Sequence, residues 1–562
     1  MPARVKLLLI LGSAFAEGAI LGSQATLARD ESGGNTSAAT DADRKILGYQ
    51  RYALTHTGDL HSGRKVFLDE TTTKCAICHK VDGEGGEVGP DLSAIGGKFA
   101  RPHLIESLLE PSRQIVEGYR TSILVTRDGR THTGVIRQSS GDRVTLATEN
   151  GNERVIPAAE IEVQSETAVS LMPEGLTEAL SPDQFTDLVA YLESLRPGGK
   201  GSPGGGIAGP ITLPEGFEVE TVATGLTGCT ALETTSDGRV VICEQTGSLR
   251  IVKDGRLLPQ PVLTVEVDDY WERGLIGVTV HPDFPRTPFL YICYVAKHPY
   301  PHHRVSRFTV RGDVALPNSE KILLKGDDQR KLGGNVKAGH QGGALHFGPD
   351  GALFIAIGEQ TAGAPSQRLD TFQGKILRIG PDGTIPRDNP FYDQANGKYR
   401  AIWAIGLRNP YTFAIQPSTG EMLINDVGDK YEEINRGAPG ANYGWPLADG
   451  PVGNEQFKDP VHHYPHASIC GGDFAPDEVT WPQEYRGKYY FAEFIHGWIK
   501  MLDPERPREP KTFARGLRNV VDLRFSQDGS LYVLLRNAWV RDDKFPAGTG
   551  SLLRIQCPKA AR

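Results

Sequence analysis

The chain has 562 residues, a net charge of −8 and 39% hydrophobic residues, enough for two or three domains with sizeable cores. No basic stripe is concentrated anywhere, which argues against nucleic acid as a partner. Glycine and proline, at 66 and 38, favour many turns and a β-rich build over long helices.

The chain opens "MPARVKLLLILGSAFAEGAILGSQATLARD". Arg4 and Lys6 give a short positive region, an apolar stretch begins at Leu7, and Glu17 interrupts it. Small residues at Ala14 and Ala16, or at Thr26 and Ala28, offer cleavage positions. This reads as a secretory signal over residues 1–28, with an uncleaved anchor as the alternative. It implies a periplasmic or otherwise exported protein with no membrane span in the mature chain.

The next domain is expected over residues 44–196. It contains "CAICH", Cys75 to His79, and C-x-x-C-H is the attachment signature of haem c. Two thiols three positions apart on a helical turn face one side, so each can add to a vinyl group of the porphyrin. His79 then lies under the iron as an axial ligand. A zinc site needs about four ligands, and no second cysteine pair exists. A thioredoxin-like pair has no need of the histidine and expects a βαβ context. The sixth iron position wants a second ligand. Of Met1, Met172, Met422 and Met501, only Met172 falls inside this domain, in the loop "SLMPEGL". A thioether on iron raises the reduction potential, which suits an electron carrier; the alternative is a gap-filling core methionine.

These stretches resemble a class I cytochrome c over residues 58–196. "GDLHSGRKVFLDE" matches its first helix, "CAICH" its haem site, "GEVGPDLSAIG" the loop beneath the histidine and "SLMPEGL" the distal loop. The resemblance implies a mainly α domain, with the Pro90 carbonyl accepting the His79 ring N–H. Within it, residues 120–165 alternate apolar and polar positions between "DGR", "SGD" and "ENG", which predicts a small β insertion of three or four strands. The layout is similar to haem-binding modules common in planctomycete-type proteins.

A Gly/Pro-rich linker is expected at 197–213. Beyond it, over residues 214–557, a unit recurs: a turn followed by an apolar or alternating strand. Copies begin near 236, 281, 348, 416, 485 and 526. Six such units predict an all-β, six-bladed propeller; a pair of β-sandwiches gives no reason for six.

"GKILRIGPDGTIPRDNPF", "ERGLIGVTVHPDF" and "ANYGWP" in this part resemble the soluble quinoprotein glucose and aldose sugar dehydrogenases. The resemblance implies oxidation of a sugar or alcohol with pyrroloquinoline quinone (PQQ) and calcium. It assigns His340 as the base that takes the hydroxyl proton, and Arg408 and Asn409 as partners of the quinone. Calcium falls to the carbonyls of Val427 and Gly428, with Glu432 and Glu433 close by, while Glu272 and Glu359 take positions of polar or acidic partners. The family's lysine and further arginines of the last two blades match Ile495, Asn519 and Val521 here, which cannot neutralise carboxylates; His496 and Arg518 stand nearby as substitutes. Cys229 and Cys243 could pair outside the cytosol, but the seven cysteines are an odd set and no pairing is assigned.

The expected function is sugar or alcohol oxidation in the propeller with electrons passed to the haem, and from there to an acceptor such as another cytochrome. Two alternatives remain open. The propeller could be a non-catalytic module binding carbohydrate or protein beside an electron-transfer cytochrome, or the chain could be a haem-based sensor.

Overall fold

A computed structural model describes residues 40–558, apart from 114, 116–118, 140–141, 150, 176–177, 196–208, 333–337, 454, 466 and 538–546. The predicted export signal, residues 1–28, and positions 197–208 of the predicted linker lie outside the described residues. The chain divides into residues 1–44, of which only the start of a helix is described, and one compact unit, residues 45–562. Among the described residues no helix is long and apolar enough to cross a membrane.

The N-terminal part of that unit is framed by helices α1 (Asp41–Thr55), α2 (Leu60–Leu68), α3 (Cys75–Cys78), α4 (Ile95–Lys98), α5 (Arg101–Leu109) and α6 (Pro182–Ser194). Their boundaries follow local chemistry. Ser181 accepts from the Gln184 N–H and the Gln184 side chain accepts from the Ser181 N–H, a reciprocal cap with Pro182 opening α6. α6 buries Phe185, Leu188, Val189 and Leu192. α2 crosses it so closely that a Cβ on Gly63 would meet the Asp187 carbonyl oxygen at 1.9 Å. Arg101 of α5 joins three helices: it pairs with Glu193 at 2.7 Å and donates to the carbonyls of Ala53 and His56.

The insertion is larger than expected. Strands Thr121–Thr126, Thr131–Ser139, Arg143–Ala147, Glu153–Pro157 and Ile161–Glu166 form one antiparallel sheet around Leu124, Val144, Leu146 and Ile156. The fifth strand, "IEVQSE", is mostly polar and exposed, so alternation does not reveal it. Two of the six described helices are single turns. The expectation of a mainly α domain is therefore corrected to a mixed one.

The rest is a ring of six antiparallel sheets. Their innermost strands, Cys229–Thr234, Leu275–Val280, Gly342–Phe347, Pro410–Ile415, Ile469–Phe474 and Val520–Phe525, pack side by side around the axis. Each predicted turn–strand unit supplies the second strand of a blade: Val240–Glu244, Phe289–Ala296, Leu353–Ile357, Met422–Asp426, Tyr489–Glu493 and Leu531–Leu535. Blade 6 is completed by a strand from the other end of the propeller, Glu218–Leu226, which pairs with Gly550–Gln556 and closes the ring. A single apolar cluster runs from Leu54, Leu104 and Ile105 of the helices into Val219 and Val222 of the closing strand and on to Leu523 and Leu552.

Candidate active site

A cavity of about 310 Å³ opens where the innermost strands begin. His340 precedes the first strand of blade 3 with φ 54°, a left-handed conformation that costs energy in a non-glycine residue. Two carboxylates hold it there. Its backbone N–H donates to Glu272 at 2.7 Å, and its ring Nδ1 meets Glu359 at 2.6 Å. Glu359 is 1% exposed, accepts also from the Gly363 N–H, and its own N–H donates to the Arg408 carbonyl. With Nδ1 engaged, Nε2 is the ring nitrogen left for a molecule in the cavity. A base oriented through its second nitrogen by a fixed carboxylate can take a proton from a hydroxyl group.

Arg408 and Asn409 enter from the turn before blade 4. Their backbone N–H groups both donate to Asp426, at 3.0 and 2.6 Å. Burial, and then the nearby Glu433, raises the Asp426 carboxyl well above its usual range. The Asn409 side chain accepts from the Gly342 N–H, which ties this turn to the strand that His340 begins. Arg408 Nη1 donates to the carbonyls of Val427 and Gly428 at 2.9 and 2.8 Å, and its guanidinium lies 5.3 Å from the Trp445 ring. Its buried Nε has no partner among the described residues.

Several residues named from sequence are engaged elsewhere in the structure. The carbonyls of Val427 and Gly428 both accept from the Arg408 guanidinium. Glu432 is fully buried and accepts from the Ala467 and Ile469 N–H groups, and Glu433 accepts from Gly450 and Asn435. Neither carboxylate is offered to a cation, and no group of three or more metal-type ligands occurs among the described residues. Arg518 does not turn to the cavity; it donates to the carbonyls of Gly96, Gly97 and Phe99. His496 is exposed and does not line the cavity either.

The basic group that sequence comparison failed to find in the last blades is Arg536. It lines the cavity, donates to Gln245 at 2.6 Å and to the Cys229 carbonyl at 3.4 Å, and burial lowers its pKa. Its only signal in sequence is a charge that ends the apolar strand "LYVLL". Ile495 and Val521 do line the cavity, while Asn519 donates to the Phe494 carbonyl at 3.3 Å. No disulfide joins any two of the seven cysteines, Cys229 and Cys243 included.

In the N-terminal part, Cys75 and Cys78 bracket the single turn α3, and His79 follows. The His79 Nδ1 lies 2.9 Å from the Pro90 carbonyl. A carbonyl can only accept, so Nδ1 carries the proton and Nε2 has a free lone pair. Burial lowers the His79 pKa, against the opposing pull of that bond. Gly89 must be glycine: a Cβ there would lie 2.4 Å from the ring's Cε1. Met172 rests half-buried on the same apolar cluster as Cys75, and its loop is tied down by the Met172 N–H to Ser170 and the Ser170 N–H to Ser112. The tip of the inserted sheet reaches this turn, with the Cys78 thiol 3.9 Å from the Glu149 carbonyl.

Ring and cavity together define a six-bladed propeller with a carboxylate-held histidine and two arginines at its axial opening. The chain belongs to the glucose/sorbosone dehydrogenase family, whose sequence profile matches residues 226–540. It is 32% identical to the aldose sugar dehydrogenase of Escherichia coli over 39% of this chain and 59% of that protein. It is 31% identical to quinoprotein glucose dehydrogenase B of Acinetobacter calcoaceticus over 32% of this chain and 41% of that one. The aligned part thus spans about half the length of these relatives. A structure of an oxidoreductase (glucose dehydrogenase) from Thermus thermophilus superposes with a TM-score of 0.53 at 29% identity, over 60% of this chain and all of that one.

Proposed function

We propose that the propeller oxidises a hydroxyl group of a sugar or related alcohol at the axial cavity and that the N-terminal part is a c-type cytochrome receiving the electrons. The observation that carries the first half is the Glu359–His340 pair, which aims one ring nitrogen at a cavity walled by guanidinium groups. His340 takes the hydroxyl proton, and Glu359 holds the ring and balances the charge that the ring gains. Glu272 fixes the backbone from which the ring projects.

PQQ is a polycarboxylate, and the donor set suits it. Arg408 and Arg536 bring two guanidinium groups to the cavity, and Asn409 lines it with them. When bound, PQQ supplies the two-electron hydride acceptor. Ile276, Phe494 and Val521 give the cavity an apolar, buried wall, with the solvent-exposed Ile495 at its rim. The carbonyls of Val427 and Gly428 would first have to be released by Arg408 to meet calcium, and no step here depends on that ion.

In the N-terminal part, Cys75 and Cys78 would carry haem c through thioethers, His79 Nε2 would ligate the iron, and Met172 would close the sixth position. Haem supplies one-electron transfer there. Pro90 fixes the ligand tautomer and raises its basicity. The first 28 residues serve export to the periplasm, the 197–213 stretch serves as a linker whose end is docked through Ile211 and Thr212 to Leu54 and Arg515, and another cytochrome is the onward acceptor.

The test is protein matured in a periplasm with haem-attachment machinery, supplied with PQQ and a panel of aldoses and polyols. A pyridine haemochrome spectrum and sugar-driven bleaching of an electron-accepting dye are expected. Protein that is colourless ends the cytochrome reading. Protein that binds no PQQ leaves the propeller as a docking module, a reading favoured by the uncharged wall at Ile495 and Val521.

A further inference from the structure

The helices do not lie loosely beside the propeller. Ile211 donates to the Leu54 carbonyl at 2.6 Å, Gln50 accepts from the Thr221 N–H at 3.2 Å, and Arg51 pairs with Glu218 at 2.5 Å. Thr224 donates to the buried Glu106. These contacts hold the flank. One other contact is different in kind, because it lies on the face where the cavity opens. Arg518 sits in the turn before the innermost strand of blade 6, is 8% exposed, and is spent on carbonyls of the segment 96–99 at 3.2, 3.1 and 3.4 Å. Placing a guanidinium in a buried position is costly unless its donors are met, so the geometry of these carbonyls is fixed by it.

From that contact a continuous line of bonds runs in both directions. Toward the propeller, Asn519 donates to the carbonyl of Phe494, which lines the cavity. Toward the helices, Gly96 follows Ile95, whose N–H donates to the Leu92 carbonyl at 3.0 Å. Leu92 is two residues from Pro90, whose carbonyl holds the ring of His79. Every hydrogen bond in this line is 3.3 Å or shorter.

We propose that Arg518 is a positioning residue that clamps the 96–99 segment to the rim of the cavity and so makes this line the crossing by which electrons pass from the propeller to the His79 site. The proposal rests on the function proposed above. Each hydroxyl oxidised to a carbonyl loses two electrons and two protons. The electrons cross one at a time, each reducing iron(III) to iron(II), and each leaves to a one-electron acceptor of the cytochrome class. The protons pass to water by way of His340 and the reoxidised carrier in the cavity.

The experiment uses full-length holoprotein and the variants R518L and R518K. Two reactions are followed with glucose or the best substrate of the panel: reduction of the haem by stopped flow, and reduction of a small dye that collects electrons at the cavity. Hydrogen exchange of the 93–100 peptide is measured in the protein without PQQ. R518L is expected to slow haem reduction about tenfold or more, the scale of effect that a small misplacement produces, with dye reduction within about twofold of wild type. Exchange at 93–100 should rise, and R518K should restore part of both effects. Equal haem reduction in R518L and wild type, with equal dye reduction, overturns the proposal alone. Wild-type protein that reduces dye but never haem also overturns it, while leaving sugar oxidation standing. Wild-type protein that reduces neither sinks the enzyme reading and the crossing with it. If R518L does not fold, the same comparison between R518K and wild type decides, since a lysine cannot span three carbonyls as a guanidinium does.

Discussion

Two histidines, one in each part of the molecule, are held by the same ring nitrogen and differ in what holds it. Nδ1 of His79 faces a main-chain carbonyl, that of Pro90; Nδ1 of His340 faces a carboxylate, that of Glu359. A neutral acceptor fixes the tautomer and leaves a lone pair on Nε2, which is what a metal needs. A charged acceptor also stabilises the ring once it has gained a proton, which is what a base needs. The surroundings agree. Gly89 presses flat against His79, whereas His340 stands on a strained backbone at the edge of a cavity. In the function proposed above, it is the acceptor's charge that separates ligand from base where the residue type alone does not.

The strongest way to break this contrast is to exchange the losses. On the function proposed above, H340Q should cut sugar-driven dye reduction by about 10³-fold and leave the haem spectrum intact; H79A should do the reverse and abolish the reduced haem band. If H340Q retains near wild-type turnover, the assignment of the base fails. E359Q keeps the hydrogen bond's place but removes the charge, and turnover should drop about 10²-fold. P90A, by contrast, keeps the main-chain carbonyl and should leave the haem spectrum almost unchanged, whereas G89A should disturb it.

Stability sharpens the comparison further: the helical part buries Arg101 against the carboxylate of Glu193, whereas the propeller buries a lysine among main-chain carbonyls. Lys375 is fully buried and donates to the carbonyls of Pro365, Ser366 and Gln373 at 2.9, 2.8 and 2.6 Å. K375M removes all three bonds, though the carbonyls of Pro365 and Ser366 still accept from the Arg368 and Gly406 N–H groups, and should cost about 1–3 kcal/mol, read from denaturant melts. Glu233 is raised to about 7 by burial, against the pull of Arg524. A carboxyl whose folded pKa exceeds its unfolded one binds more protons when folded. Its contribution is therefore full below about pH 4.5 and is lost as pH rises to about 7, by up to about 3 kcal/mol. The difference in stability between wild type and E233Q should follow that slope; a flat difference would place the proton elsewhere. The smallest effect is expected at the flank: R51A removes half-exposed pairs with Glu218 and Glu220 and should cost under about 1 kcal/mol.

Much of the fold was legible because the blades repeat. Each turn such as "SDGR", "GPDG" or "SQDG" separates the first and second strands of a blade, so local chemistry marks the blade without reference to its neighbours. The closing strand Glu218–Leu226 was not legible as such, since its partner at Gly550–Gln556 lies at the far end of the chain and nothing local announces it. Of the site, His340, Arg408 and Asn409 line one cavity. Arg518 and Arg536 were exchanged: one looked free to serve the cavity and is spent on Gly96 to Phe99, the other looked like a strand end and points inward. Aligned positions carry side-chain identity but not side-chain direction.

The strand that seals the ring is also the one on which the helices rest. Thr221 bonds to Gln50, Val222 to Arg113, and Thr224 to Glu106, while the strand's other edge zips to Gly550–Gln556. Sealing and docking are thus one mechanical event. Whatever peels this strand away, whether protease, heat or pulling force, unlatches the ring and leaves the helical part hanging by the Arg518 contact in the same stroke.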